Sequence, residues 1–298
     1  MEIDNGLALR IGLSLLAAVI AYILLVKSKN KSGERASNEP AVTVTARPGK
    51  DPAEEEFSDE PDEPVEDSDD EDPGAALEQL PRIKLDHEPV DGEEMCQRSQ
   101  HFYDVMKKRR TVRTFSKRPV PREVVENIVR VGGTAPSGAH TEPWTYVVVS
   151  DPEIKAQIRD IVEREEEVNY DRRMGTTWVK DVTLLGTDHS KPYLDEAPYL
   201  IVAFEQTSGV RPDGKKKHHY YSRLSASISA GMLLAAVHYA GLVTVTSTPL
   251  NCYAALRDLL ERPATEKAFL LLPIGYPSED TTVPDLVRKP LEDIMVMK

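Results

Sequence analysis

The sequence predicts a sheet domain of the α/β or α+β class, carried behind a hydrophobic anchor and an acidic spacer, and three observations support this. Residues 7–26 form a run of twenty whose only charge is Arg10. Of the 50 Asp and Glu residues, fourteen fall between positions 51 and 72, where no Lys or Arg occurs. From residue 83 to the end, helical and strand patterns of apolar residues alternate.

The apolar run reads LALRIGLSLLAAVIAYILLV. At about 1.5 Å per residue a helix of this length covers about 30 Å, the thickness of a bilayer's hydrocarbon core. Arg10 sits within a turn of the amino end, where its long stem carries the guanidinium to the headgroups. A cleaved signal peptide would want a basic start and a small-residue cleavage site, whereas Glu2 and Asp4 precede the run and Leu25 and Val26 end it. Lys27, Lys29, Lys31 and Arg35 follow, so the carboxyl side is expected to stay cytosolic with the amino terminus outside. The predicted layout is a single-pass anchor over residues 1–27, a disordered acidic tether over 28–82, and a cytosolic folded domain over 83–298.

Net charge supports the same division. The formal balance of −13 argues against a nucleic-acid partner, because phosphate backbones reward Lys and Arg. Without the acidic segment, 36 acids face 37 bases, so the rest of the chain is nearly neutral. Cys96 and Cys252 are the only cysteines and lack the spacing of a zinc site; they read as reduced thiols in a reducing compartment, and no metal site is expected.

Within the folded part, Met95, Phe102, Val105 and Met106 share one face of a helix over 93–108. Val124, Val125, Ile128 and Val129 repeat the pattern over 122–131. Residues 146–149 form a short buried strand, and Ser150, Asp151 and Pro152 end it and cap a helix over 153–167. Further strands are predicted over 199–204, 243–247 and 269–274. Between the first two lies 221–239, uncharged after Arg223 and apolar nearly all round, which calls for burial in the core or against a second subunit. His218 and His219, after Lys215, Lys216 and Lys217, read as part of an exposed basic loop.

No dinucleotide fingerprint, Walker loop, nucleophile elbow or zincin motif occurs. Three stretches are candidates for chemistry. In an extended segment Arg109, Thr111 and Arg113 share a face and offer two guanidinium forks and a hydroxyl, a set suited to a phosphate monoester, though a solvated basic turn fits the spacing as well. The turn-rich run from Gly132 through Pro136, Ser137, Gly138, Ala139 and His140 to Trp144 lets a flat ligand approach the main chain, or is a plain connection. Thr246, Ser247 and Thr248 end an apolar strand, as ligands or as caps.

Taken in order, Arg-Arg-Thr-Val-Arg, Ala-Pro-Ser-Gly-Ala-His-Thr-Glu-Pro-Trp and the late Ile-Gly-Tyr-Pro resemble the nitroreductase superfamily of FMN enzymes, and within it the iodotyrosine deiodinase family. The resemblance runs from about Met95 to the end. It implies an α+β fold with a central sheet flanked by helices, in a domain-exchanged homodimer with FMN in each of two interfacial sites. It assigns FMN binding to Arg109, Arg110, Thr111, Arg113, Pro136, Ser137, Thr246, Ser247, Thr248 and Arg288. Thr111 stands where the family more often has Ser and Ser247 where it has Thr, and both keep the hydroxyl. The resemblance further implies that Thr248 is the catalytic side chain, its hydroxyl donating to flavin N5.

The resemblance also implies a substrate clamp on the amino-acid end of an iodotyrosine. Glu166, Tyr170 and Lys191 form it, while the Ala139 N–H meets the phenolate oxygen. Arg172, Arg173, Gly175 and an irregular stretch to Ser190 suit a mobile lid. The implied reaction is reductive deiodination of mono- and diiodotyrosine to tyrosine and iodide, with NADPH as the ultimate electron source through a separate reductase. Two other readings stay open at this point: a general FMN nitroreductase or quinone reductase, and a membrane-tethered adaptor without enzymatic activity.

Overall fold

The computed structural model describes residues 80–211 and 214–298. The predicted anchor at 1–27 and all but the last residues of the predicted tether at 28–82 lie outside them. Among the described residues no helix is long and apolar enough to cross a membrane.

Seven α-helices and six strands are described: α1 (Gly92–Met106), α2 (Arg122–Gly132), β1 (Trp144–Val149), α3 (Pro152–Val168), α4 (Gly175–Thr183), α5 (Tyr193–Glu196), β2 (Tyr199–Gln206), β3 (Ser208–Val210), β4 (Lys216–His218), α6 (Ser222–Tyr239), β5 (Val243–Thr244), α7 (Tyr253–Leu259) and β6 (Glu266–Gly275). Local chemistry sets their starts. The Asp91 side chain accepts the Glu94 N–H at the head of α1. Asp151 accepts the N–H groups of Glu153 and Ile154 at the head of α3, with Pro152 in the first turn, where its missing donor costs nothing.

The main sheet runs β1-β2-β6-β5 with every neighbouring pair antiparallel, which settles the choice of class as α+β. Leu200, Val202 and Phe204 of β2 pack on one side with Ile158 and Val162 of α3, Leu194 of α5 and Leu256 of α7. Ile201 faces the other way, with Val125 and Ile128 of α2 and Leu233 and Val237 of α6. Helices thus cover both faces, and β2 reads as an unbroken apolar run because each of its alternating sides is buried. Cys96 is exposed, Cys252 is buried, and no disulfide joins them.

The strand expected over 243–247 is interrupted, and a proline explains why. Val243 and Thr244 pair with Gly275 and Ile274, and Ser247 meets Leu271 in the same register, exchanging hydrogen bonds of 3.0 and 2.7 Å. In that register Val245 lies opposite Pro273, which has no N–H to complete the intervening pair. The ladder opens there, and residues 245–248 are only pinned at Ser247.

Two expectations are corrected. His219 is not in an exposed loop: β3 and β4 form a hairpin, and His219 behind it is buried with Nδ1 2.9 Å from the Gln206 carbonyl, while Lys215, Lys216 and Lys217 remain exposed. The stretch from Arg173 to Ser190 is irregular only in part, since α4 forms over Gly175–Thr183 behind a π-helical turn at Asn169–Arg173, while residues 184–190 are in neither helix nor strand. Helix α6 does bury one face against the sheet, but Leu224 and Ile228 on its other side are 60 % and 41 % exposed in the single chain.

Gly275 closes the end of β6. A Cβ there would lie 2.6 Å from the Pro198 ring and 3.3 Å from the Phe115 ring, neither of which is a flexible chain end. Gly275→Ala is therefore expected to lower stability by about 1–3 kcal/mol, read as a lower urea midpoint with an unchanged slope.

Candidate active site

Helix α3 is the scaffold on which the site is built. Lys155, Arg159, Glu163 and Glu166, spaced 4, 4 and 3 residues apart, lie along one face of it and reach the segment that leads into β2. The buried Lys155 ammonium donates to the carbonyls of Asp195 and Ala197 at 3.1 and 2.6 Å, and burial lowers its pKa. Arg159 joins Glu163, at 2.8 Å, to Asp195, at 3.2 Å. Glu163 then accepts the backbone N–H of Lys191 at 2.5 Å and the Ser190 hydroxyl at 3.2 Å. Burial alone would raise the Glu163 pKa, but the Lys191 N–H and the Arg159 guanidinium outweigh it and hold the carboxyl below the ordinary range.

Beside this scaffold opens a cleft of about 350 Å³. Glu166, Tyr170 and Lys191 line one wall, and Val245, Thr246, Ser247 and Thr248, released by the break at Pro273, line another. Glu166 Oε2 and Lys191 Nζ stand 3.2 Å apart with side chains only 9 % and 4 % exposed. Lys191 Nζ also donates to the Asp188 carbonyl and lies 5.1 Å from the centre of the Tyr170 ring. Tyr170 meets Trp178 of α4 edge to face, with centroids 5.0 Å apart. A buried ion pair holds only while both charges stay compensated, so a ligand that parts this pair must return a positive charge to Glu166 and a negative one to Lys191.

Arg113 reaches the cleft from the extended segment after α1. Its Nη1 donates to the Leu185 carbonyl at 3.5 Å, while its Nε is buried with no hydrogen-bond partner. An orphaned guanidinium N–H beside exposed threonine hydroxyls at 246 and 248 is a donor set suited to an anionic or polar heterocyclic group.

The cleft thus unites Arg113, Glu166, Tyr170, Lys191, Thr246, Ser247 and Thr248 from the sequence-predicted set. The others do not line it. Arg110 donates to the Pro284 carbonyl, and Arg288 donates to the carbonyls of Lys107 and Arg109 at 2.7 and 2.6 Å, so both tie the C-terminal segment to the exit of α1. Thr111 bridges Thr244. Pro136, Ser137 and Ala139 sit against the start of α6, where the Gly138 N–H donates to Ser225 Oγ at 3.4 Å and a Cβ on Gly138 would be 2.7 Å from the Tyr220 carbonyl. Ala139, His140 and Glu142 all have φ near +50°, and Tyr221 across from them has φ of 54°. Such conformations cost non-glycine residues about 1–3 kcal/mol each, and a cluster of them marks a loop shaped for contact.

Sequence reasoning missed Asn169, Trp178, Tyr193 and Asn251. Trp178 and Val182, four residues apart and both lining the cleft, carried a helical signal that could have placed α4. The asparagines carried none.

The nitroreductase family profile matches residues 106–276. The chain is 59 % identical over 219 residues to the iodotyrosine deiodinase of Nematostella vectensis, covering 74 % of this chain and 83 % of that one. It is 50 % identical over 277 residues to iodotyrosine deiodinase 1 of Homo sapiens, covering 93 % and 95 %. The chain belongs to the nitroreductase family, in its iodotyrosine deiodinase group. A crystal structure of oxidized iodotyrosine deiodinase bound to FMN and 3-iodo-L-tyrosine superposes with a TM-score of 0.55 at 33 % identity, covering 64 % of this chain and 96 % of that one.

Tyr193, 4 % exposed, donates from its hydroxyl to Ser247 Oγ at 3.5 Å, and burial pushes its pKa up to about 12. The fold favours the protonated phenol, so its contribution is fully present below the unfolded value of about 10 and is lost as pH rises through the folded one. Wild type is expected to lose about 2–3 kcal/mol from this group between pH 10 and 12, and Tyr193→Phe to flatten that part of the stability profile measured by denaturant titration.

Proposed function

We propose that the chain deiodinates mono- and diiodotyrosine reductively, giving tyrosine and iodide, with FMN as cofactor. The observation that carries this reading is the buried Glu166–Lys191 pair at 3.2 Å in the wall of a cleft that also holds the hydroxyls of Thr246, Ser247 and Thr248. An amino-acid zwitterion has the two charges needed to part that pair: its ammonium turns to Glu166, and its carboxylate to Lys191 and the Tyr170 hydroxyl. The aromatic ring then extends toward the hydroxyl turn, and the Ala139 N–H holds the phenolate oxygen.

Arg113, with its unpartnered buried Nε, fits a hold on the cofactor. With it we assign Arg109, Arg110, Thr111, Pro136, Ser137, Thr246, Ser247, Thr248 and Arg288, the Thr248 hydroxyl donating to flavin N5. Bound FMN would supply the two electrons that, with a proton, replace iodine by hydrogen on the ring and release iodide. The protein's residues orient the ring, exclude water and hold the two ends of the substrate. NADPH is the proposed ultimate electron source, through a separate reductase.

The active form is proposed to be a domain-exchanged homodimer. Support comes from the uncovered Leu224 and Ile228 of α6, and from the strained loop of Pro136, Ser137 and Ala139, which lines no wall of the cleft in its own chain. A second copy over that face would bring one chain's loop to the other's cleft. The remaining layout follows the sequence: an anchor at 1–27, an acidic tether at 28–82, and a cytosolic catalytic domain at 83–298.

Anaerobic titration of the dithionite-reduced protein with diiodotyrosine is expected to reoxidise the flavin and release iodide in step. Flavin that reacts with nitroaromatics but ignores diiodotyrosine would overturn the proposal in favour of a general reductase, and a preparation without FMN would leave only an adaptor. Glu166→Gln and Lys191→Gln are each expected to weaken iodotyrosine binding by about tenfold or more, since each leaves one buried charge without its partner.

A further inference from the structure

Asn169 is fully buried in the π-helical turn that follows α3. Its Nδ2 donates to Glu166 Oε1 at 3.0 Å, and its Oδ1 accepts from Arg173 Nη1 at 3.0 Å and from Asn251 Nδ2 at 3.1 Å. The charged neighbours fix the orientation of this amide, because a guanidinium can only donate and a carboxylate accepts. Glu166 therefore divides its two oxygens, Oε1 to Asn169 and Oε2 to Lys191. Asn251 stands in a left-handed conformation, φ 62°, three residues after Thr248, in a turn where the Leu250 N–H donates to the Thr248 carbonyl at 2.9 Å.

These contacts form one hydrogen-bonded path from the hydroxyl turn through Asn251 and Asn169 to Glu166 and Lys191. We propose that Asn251 and Asn169 are positioning residues that anchor the Glu166 side of the substrate clamp to the hydroxyl turn, so that the grip on the amino-acid end is set from that turn. This rests on the deiodinase reading of the cleft. Neither residue is assigned contact with reacting atoms; each acts through the Glu166 carboxylate.

The path makes a prediction that runs against simple size. Asn251→Gly keeps the left-handed turn and removes the link. Asn251→Asp keeps both the turn and the volume, but its carboxylate cannot donate to Asn169 Oδ1. Asp then sets an oxygen against Asn169 Oδ1, and turning the amide to relieve this would set its oxygen against Glu166 and its NH2 against Arg173, so either arrangement disturbs the donor set that holds the clamp. In FMN-loaded, oxidised protein, binding is read from the flavin absorbance change with 3-iodotyrosine, and with 2-iodophenol, which has the ring but no amino-acid end.

For 3-iodotyrosine, Asn251→Gly is expected to weaken binding about fivefold and Asn251→Asp by clearly more, the loss of one part-buried hydrogen bond against a repulsion put in its place. For 2-iodophenol both variants are expected to stay within about twofold of wild type, as a role confined to the clamp requires. The proposal is overturned if Asp is no worse than Gly, if both bind 3-iodotyrosine within about twofold of wild type, or if 2-iodophenol weakens in parallel. Loss of FMN from the Asp variant alone would assign Asn251 to the cofactor and also overturn it. A flavin-loaded wild type that gives no signal with 3-iodotyrosine, by contrast, sinks the deiodinase reading itself.

Discussion

A carboxylate and an ammonium held 3.2 Å apart and almost wholly out of water are the constraint around which this domain is arranged. Neither charge could be buried alone, and the pair repays its desolvation only if the remaining oxygens and protons are also satisfied. That requirement accounts for much of the surrounding chemistry. Glu166 gives its second oxygen to Asn169, and Lys191 gives another proton to the Asp188 carbonyl. The backbone of Lys191 is held by Glu163, which is held in turn by Arg159. A ligand with one charge could not open the pair without stranding the other, so on the proposed reading of the cleft the cost of burial would favour zwitterions.

The second constraint is a missing hydrogen. Pro273 sits in a central strand where β5 would need a donor, and its lack of an N–H opens the ladder for two residues before Ser247 rejoins it. The exposed hydroxyls of Thr246 and Thr248 are thereby turned into a cleft instead of being absorbed into a continuous strand. The ion pair is fixed by α3 and the hydroxyl turn by the sheet edge, and the buried amide of Asn169 connects the two.

Local chemistry was largely legible in the residues. Apolar patterns located α2, β1, β2 and α6, and Asp151 with Pro152 marked where α3 begins, because caps and periodicity are properties of neighbours in sequence. Other features were invisible for a physical reason. The break in β5 depends on Pro273 lying opposite Val245, a partner 28 positions away that only strand register supplies. His219 looked like the tail of a basic run until the hairpin folded it beneath Gln206.

By itself the sequence determined the class of elements, the concentration of acid between positions 51 and 72, and the motifs through which the family resemblance could be drawn. The resemblance assigned Glu166, Tyr170 and Lys191 to one clamp, yet nothing in their spacing showed that a carboxylate from a helix and an ammonium from a distant loop would meet in a dry cleft. Only the tertiary structure decided that, since burial, pairing and the direction of an amide are set by groups brought together across the chain. The same structure separated the predicted residues into those that line one cleft and those that lie elsewhere on the chain, a division that linear order cannot contain because it depends on which surfaces pack and which stay open.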